Sequence, residues 1–365
     1  MKSTFTRNHA VISSAVLALA ASLASPAFAA GRPPPLSAQP TGTEIVNQFQ
    51  KNEGVFKGYR RNHAKGMCIA GYFEASGAAA RVSTAQVFAP GARSPVIGRL
   101  SIPGTSPYAW DDSTPIRGMA LEVKQANGEE WRTAMNAVPA FPVATPAADY
   151  QFMRLQQPDP KTGDPNPVKL AAFFASHPHA NAFRIWDQTT QPSASFATEQ
   201  YNSLDSFELM DARGRKRAVR WSMVPEARVD GAKPDVDDPD YLEVDLRRRL
   251  AHGPIRWRLE ITFANPGDAI DRADIAWTSP HRTLDAGTLV IDAATPQKTG
   301  ACRDINFDPT VLPAGIALSD DPLLKFRHEV YEVSQRRRVR EQNALHARTP
   351  APSGTSNART QGGPR

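Results

Sequence analysis

The stretch 117–136 constrains the fold more than any other. Arg117–Lys124 alternates between polar and apolar residues, Asn127-Gly128 supplies a tight turn, and Trp131–Asn136 runs back. Side chains alternate between faces along a strand. Asn-Gly readily takes the left-handed backbone of a two-residue hairpin turn. Other segments follow the same grammar. Ile69–Glu74 ends at the turn residues Ser76-Gly77, and Val96–Ile102 opens after Ser94-Pro95 and closes at Pro103-Gly104. Phe207–Met210 and Ala218–Met223 flank a turn at 211–214, and Trp257–Phe263 reads as a further strand. Helices are predicted at 43–49, 146–155, 167–176 and 240–251. A last helix starts behind the cap candidates Ser319 and Asp320, with Pro322 in its first turn, and runs through Arg338. Antiparallel hairpins with scattered helices imply an α+β fold with a sheet or barrel core. The 32 prolines among 365 residues are nearly twice the usual ~5%, which favours long loops over a helix bundle.

The ends read differently. Lys2 and Arg7 precede an apolar run from Val11 to Ala24 and the small-residue sequence Ala27-Phe28-Ala29, the three parts of an export signal. The run is shorter than the ~20 residues of a spanning helix. The expected organisation is a signal at 1–29, a Pro-rich linker at 30–42, one domain at 43–340 and a disordered tail at 341–365. The mature protein is then exported, in the periplasm, without membrane attachment. Loss of Lys2 and Arg7 lowers the formal charge from +6 to +4. An oxidising compartment permits Cys68 and Cys302 to pair; two separate thiols are the alternative. Two cysteines exclude an iron–sulfur ferredoxin and a disulfide-stapled mini-protein.

Two clusters carry candidate chemistry. The first is Arg60-Arg61-Asn62-His63-Ala64-Lys65-Gly66, a histidine at a loop-to-strand junction, together with Arg99 and Ser101, which share one face of the second strand. A hydroxyl there could orient the imidazole; a solvated face is the alternative. The second is Arg327 with Tyr331, one helical turn apart, followed on the same face by Arg338. A guanidinium beside a phenol oxygen favours its anion, a hard ligand suited to ferric iron. A solvated basic helix end is the alternative. His177 and His179 flank Pro178 in an expected loop, and His328 reads as an ordinary polar helix position. Asp235–Asp240 fails the EF-hand pattern, with Asp240 at the glycine position and Leu246 in place of the last ligand.

Taken in order, these residues resemble a known family. Arg60-x-x-His63-Ala64-Lys65-Gly66, Gly71-Tyr72-Phe73-Glu74, Arg99-Leu100-Ser101, Arg117-Gly118-Met119-Ala120, Tyr201–Phe207, Phe307-Asp308-Pro309 and Arg327-x-x-x-Tyr331 are similar to the haem catalase superfamily over residues 44–340. Length and export resemble its short bacterial catalase-related peroxidases. The resemblance implies a catalase-like antiparallel β-barrel of about eight strands enclosing haem b, with surrounding helices and long loops. His63 matches the distal histidine, Ser101 the hydroxyl that orients it (Ser83 fits that place less well), and Tyr331 the proximal iron ligand with Arg327 as charge partner. Arg60, Arg99 and Arg338 match propionate-binding arginines, and Phe152 a phenylalanine stacked on the haem. Asn62 stands where an apolar residue is usual.

The family's distal asparagine lies in an Asn-Asn-Thr-Pro-like stretch, here Met135-Asn136-Ala137-Val138-Pro139. Asn136 is the candidate for the role; anchoring on Pro139 puts Ala137 at that position, and Asn136 one step along the strand faces the other way unless a bulge returns it. This favours a peroxidase, consuming hydrogen peroxide with small organic electron donors, over a dismutating catalase. The other readings are a monofunctional catalase and a non-enzymatic exported haem-binding protein. The basic cluster Arg336–Arg340 falls where propionate contacts are expected, so no nucleic acid partner is implied. Monomer and homodimer both remain open.

Overall fold

A computed structural model of the protein describes residues 39–229, 231 and 233–347. The expected signal, most of the linker and the tail beyond 347 lie outside the described residues. The strands are β1 (Gly66–Ala75), β2 (Arg93–Ser101), β3 (Gly118–Lys124), β4 (Glu130–Asn136), β5 (Tyr201–Asn202), β6 (Phe207–Met210), β7 (Lys216–Pro225), β8 (Ile255–Phe263), β9 (Thr283–Pro296) and β10 (Ile316–Leu318). The helices are α1 (Gly42–Glu53), α2 (Pro146–Leu155), α3 (Pro167–Ser176), α4 (Ala180–Thr189), α5 (Tyr241–Ala251) and α6 (Pro322–His346).

Eight antiparallel strands form a closed wall in the order β7-β5-β4-β3-β2-β1-β9-β8, with β8 pairing back to β7; β6 and β10 extend from β7. One of the two alternating side-chain sets fills the interior. Phe73, Leu100, Leu121, Trp131, Trp221 and Leu259 come from six different strands and belong to one buried cluster. Trp131 meets Trp221 edge to face at 5.2 Å, and Phe207 stacks on Trp221 at 4.1 Å. The Trp221 indole N–H donates to Thr133 Oγ1 at 3.0 Å, which satisfies the polar edge of a buried ring. The barrel is therefore a packed core. The expected barrel is present, but the space for a cofactor lies against its outer face and not inside it.

Helices α1 and α6 cover that outer face. Thr41 and Glu44 form a capping box that starts α1. Asp321, next to the expected cap residue Asp320, caps α6 by accepting the N–H groups of Leu323 (2.9 Å) and Leu324 (3.4 Å). The two helices are joined by Gly42 N–H donating to Glu329 Oε1 at 2.8 Å, and by Arg337 donating to Gln50 and Asn47 at 2.6 and 2.8 Å. Helix α6 continues to His346, so the domain boundary expected at 340 falls within it. No helix among the described residues is long and apolar enough to cross a membrane.

Cys68 and Cys302 form a disulfide with Cα atoms 5.3 Å apart. It ties β1 to the segment 301–305 across 234 residues of sequence. Closing so long a loop removes denatured-state entropy. Replacing both cysteines by serine is expected to lower stability by about 3–5 kcal/mol, read as a lower denaturant midpoint together with a larger m-value, because the denatured chain without the cross-link exposes more surface.

Candidate active site

Helix α6 carries one side of the site. Arg327 Nη2 donates to Tyr331 Oη at 3.1 Å, and Arg327 Nη1 forms an ion pair with Asp205 Oδ2 at 2.5 Å. Burial alone would weaken the guanidinium's hold on its proton, but Tyr331 and Asp205 outweigh it and push the pKa upward. The chain reaches Asp205 through Leu204, whose φ is 61°. Leu204 and His63 (φ 53°) are the two non-glycine residues with positive φ among those described, and both line one cavity. Such conformations cost of order 1 kcal/mol each and tend to gather at functional sites.

The junction before β1 carries the other side. Asn62 Oδ1 accepts the backbone N–H of His63 at 2.8 Å and that of Gly104 at 3.0 Å, which clamps the turn presenting the imidazole. This is the role of the residue that departs from the family pattern. The register of β1 with β2 sets Ser101 opposite Gly66, three residues past His63. Ser101 Oγ lies 3.1 Å from His63 Nδ1. Burial, and then the positive charges of Arg99, Arg327 and Arg60, push the His63 pKa down to about 3. The imidazole is neutral at any ordinary pH. Ser83 lies elsewhere, donating to the Gly315 carbonyl at 2.9 Å.

Asn136 meets His63 over Gly118. A Cβ on Gly118 would come within 2.9 Å of His63 Cε1 and 3.1 Å of Asn136 Oδ1. The pairing of β3 with β4 is regular, with Gly118 opposite Asn136, so no bulge is needed. Asn136 shares the outward set with Ala134, and both line the cavity, while Ala137 packs into the barrel cluster. Of the two orientations left open for Asn136, the structure shows the one that faces the cavity, and it does so without a bulge because the regular strand runs to Asn136. Gly118→Ala is expected to displace the His63 ring and slow peroxide turnover about tenfold, with circular dichroism unchanged.

Arg60, Arg99 and Arg338 meet at one corner of the cavity. Arg60 donates to the carbonyls of Cys302 (2.9 Å) and Ile305 (2.8 Å). Arg99 donates to the His63 carbonyl and to Gln297, and Arg338 to Gln335 and the carbonyl of Asp304. None of the three forms an ion pair among the described residues. Burial lowers all three: Arg60 well below the usual range with Arg338 and Arg99 adding to it, Arg99 to about 9 with Arg338 adding, and Arg338 to about 10. Arg338 Nε is buried without a partner. Converging buried cations with only neutral acceptors fit an anion, and three guanidinium forks fit two carboxylates.

Phe152 is not brought to this cavity. Helix α2 turns Ala148 and Phe152 towards α3, where Phe152 stacks on Phe173 at 5.2 Å. Its other face carries Asp149, which lines the cavity alongside Phe141. Sequence reading gave no role to Asp149 or Asp205, although Asp205 lies inside the quoted stretch Tyr201–Phe207. His177 caps α3 and His179 precedes α4, so the expected loop is a helix junction. His328 pairs with Asp308 at 2.6 Å.

The cavity holds about 230 Å³, far more than the few tens of Å³ that a water-sized molecule occupies. It has a phenol oxygen on α6, a neutral imidazole and an amide on the barrel side, and a cationic corner. That donor set fits haem, with Tyr331 as the oxygen ligand and the arginines for its propionates.

Comparison with known proteins identifies the family. The catalase family model matches residues 40–363. A catalase-related peroxidase of Synechococcus elongatus is 36% identical over 303 residues, 82% of this chain and 89% of that protein. One from Mycolicibacterium paratuberculosis is 28% identical over 82% and 95% of the two chains. The catalase of Sus scrofa is 26% identical, and the match spans 55% of its length. A fungal catalase structure superposes with a TM-score of 0.66 over 77% of this chain and 59% of its own, at 20% identity. The chain belongs to the catalase family of peroxide-metabolising oxidoreductases.

Proposed function

We propose that the protein is an exported, periplasmic haem b peroxidase that reduces hydrogen peroxide with small organic electron donors and releases little oxygen. The observation that carries the reading is the pairing of His63 with Ser101 in the cavity that Tyr331 also lines. With Nδ1–H donated to Ser101 Oγ, Nε2 is left as an acceptor, and no hydrogen bond from a described residue occupies it. Haem, when bound through a phenolate oxygen, supplies the iron redox chemistry that cleaves a peroxide O–O bond. The chain's own residues do the rest. His63 Nε2 takes the proton from the oxygen that binds and returns it to the oxygen that leaves, which is general acid–base work at a positioned imidazole. The Asn136 amide donates a hydrogen bond to the peroxide. Arg327, anchored by Asp205, holds the Tyr331 oxygen in place. Arg60, Arg99 and Arg338 bind the propionates.

The preference for donor oxidation is supported by the extent of the match, nearly the full length of two catalase-related peroxidases against about half of a catalase. Dismutation stands as the second reading because Asn136 lies beside His63, where it could hold a second peroxide. Simple haem carriage has no use for the Ser101-oriented imidazole. The deciding assay runs an oxygen electrode and the oxidation of a phenolic donor in parallel on haem-loaded protein. Rapid oxygen release with no donor oxidation overturns the peroxidase reading.

A further inference from the structure

The carboxylate of Asp149 lines the cavity, and the reaction above leaves it unused. Asp149 stands in the first turn of α2. Met153, one turn on, shares its helix face and packs on Ile45 and Phe326, which line the cavity as Asp149 does. The other carboxylate in the lining, Asp205, is engaged by Arg327. The Asp149 carboxylate makes no hydrogen bond or ion pair with any described residue, and burial alone pushes it up to about 7. The same lining carries the apolar side chains of Ile45, Phe49, Phe141 and Phe326. A carboxylate left without a partner among apolar side chains favours a ligand that supplies one. Aromatic walls with a few placed polar groups are also the usual make-up of a small-molecule site.

Resting on the peroxidase reading, we propose that Asp149 determines which donors the cavity admits. It takes the amine or hydroxyl of small aromatic donors, binds cationic ones most tightly and rejects anionic ones. The ring of such a donor packs on the phenylalanines. An ammonium on the carboxylate gains a charge-assisted hydrogen bond, whereas a second anion in a low-dielectric wall is repelled. The arginine corner does not recruit anionic donors, because the cofactor's carboxylates occupy it.

Three phenols of matched shape test this by equilibrium dialysis against the haem-loaded enzyme at about pH 8, where Asp149 is ionised: tyramine (cationic), 4-ethylphenol (neutral) and 4-hydroxyphenylacetate (anionic). Tyramine should bind about tenfold or more tighter than 4-hydroxyphenylacetate, with 4-ethylphenol between them. Asp149→Asn should remove most of that ratio, and Asp149→Glu should retain it. In turnover, the Asp149→Asn change should appear chiefly in the KM for tyramine and less in kcat. A ratio in Asp149→Asn within about twofold of the wild type overturns the inference, as does failure of the wild type to bind any of the three. The peroxidase reading fails separately, through phenols that bind and are never oxidised; the dialysis ratio still decides on Asp149.

Discussion

Replacing His63 by alanine lowers the rate of peroxide reduction by about 10²–10⁴-fold while a haem Soret band persists. The prediction follows from the separation of tasks in the cavity. The ring of His63 is held by Ser101 at 3.1 Å and its turn by Asn62 at 2.8 Å, neither of which hydrogen-bonds to Arg327, the partner of the Tyr331 oxygen. Removing the ring removes a base and leaves Tyr331, Arg327 and the arginine corner intact. Stopped-flow mixing of the variant with peroxide gives the rate directly. A rate within about threefold of the wild type would assign the proton transfer elsewhere. The same residue sets the pH profile. Burial and three nearby arginines hold its pKa at about 3, below the ordinary value near 6.5. The neutral, competent form therefore dominates at all pH values above about 3, and the peroxide step should show no acid limb near pH 6.5.

Tyr331→Phe is expected to abolish cofactor retention, with an affinity loss beyond the roughly 10–100-fold that outer-shell changes produce. The substitution removes one oxygen and no packing volume, so the ring keeps its place against the Cys68, Cys302 and Phe307 cluster. The Arg327–Asp205 ion pair also survives it. The loss should thus appear in the haem content after gel filtration and in the visible spectrum, without a change in melting temperature of the haem-free protein. A variant that binds haem with the wild-type spectrum would falsify the ligand assignment.

Much of this site was legible in the sequence because it is built from local rules. Arg327 and Tyr331 meet because they are one helical turn apart, and Arg99 and Ser101 share a face because they are two apart on a strand. The hairpin 118–136 was readable from its alternation and its Asn-Gly turn. What escaped depended on tertiary context. Strand β9 closes the barrel but carries Gly287, a register shift where it meets β1, and three consecutive buried residues, Leu289–Ile291, so it shows no clean alternation. Helix α4 was hidden by Pro178 between two histidines. Phe152 was misplaced because adjacent helical positions lie on different faces, and only the packing of α3 shows which face meets the cavity. The orientation of Asn136 stayed open because it is set by its partner across the sheet, Gly118, and not by a proline three residues along the chain.

The site's position on the outside of a filled barrel bears on how the molecule comes into being. In chain order the wall is complete at Pro296, whereas the helix bearing Arg327, Tyr331 and Arg338 begins only at Pro322. The core of that wall is filled by its own side chains. The barrel can therefore settle without its prosthetic group, and the last helix docks over it as a latch. Cofactor loading on this scheme is a finishing step, taken up by a nearly mature body, and variants that fail to load should accumulate as folded, colourless protein and not as aggregate.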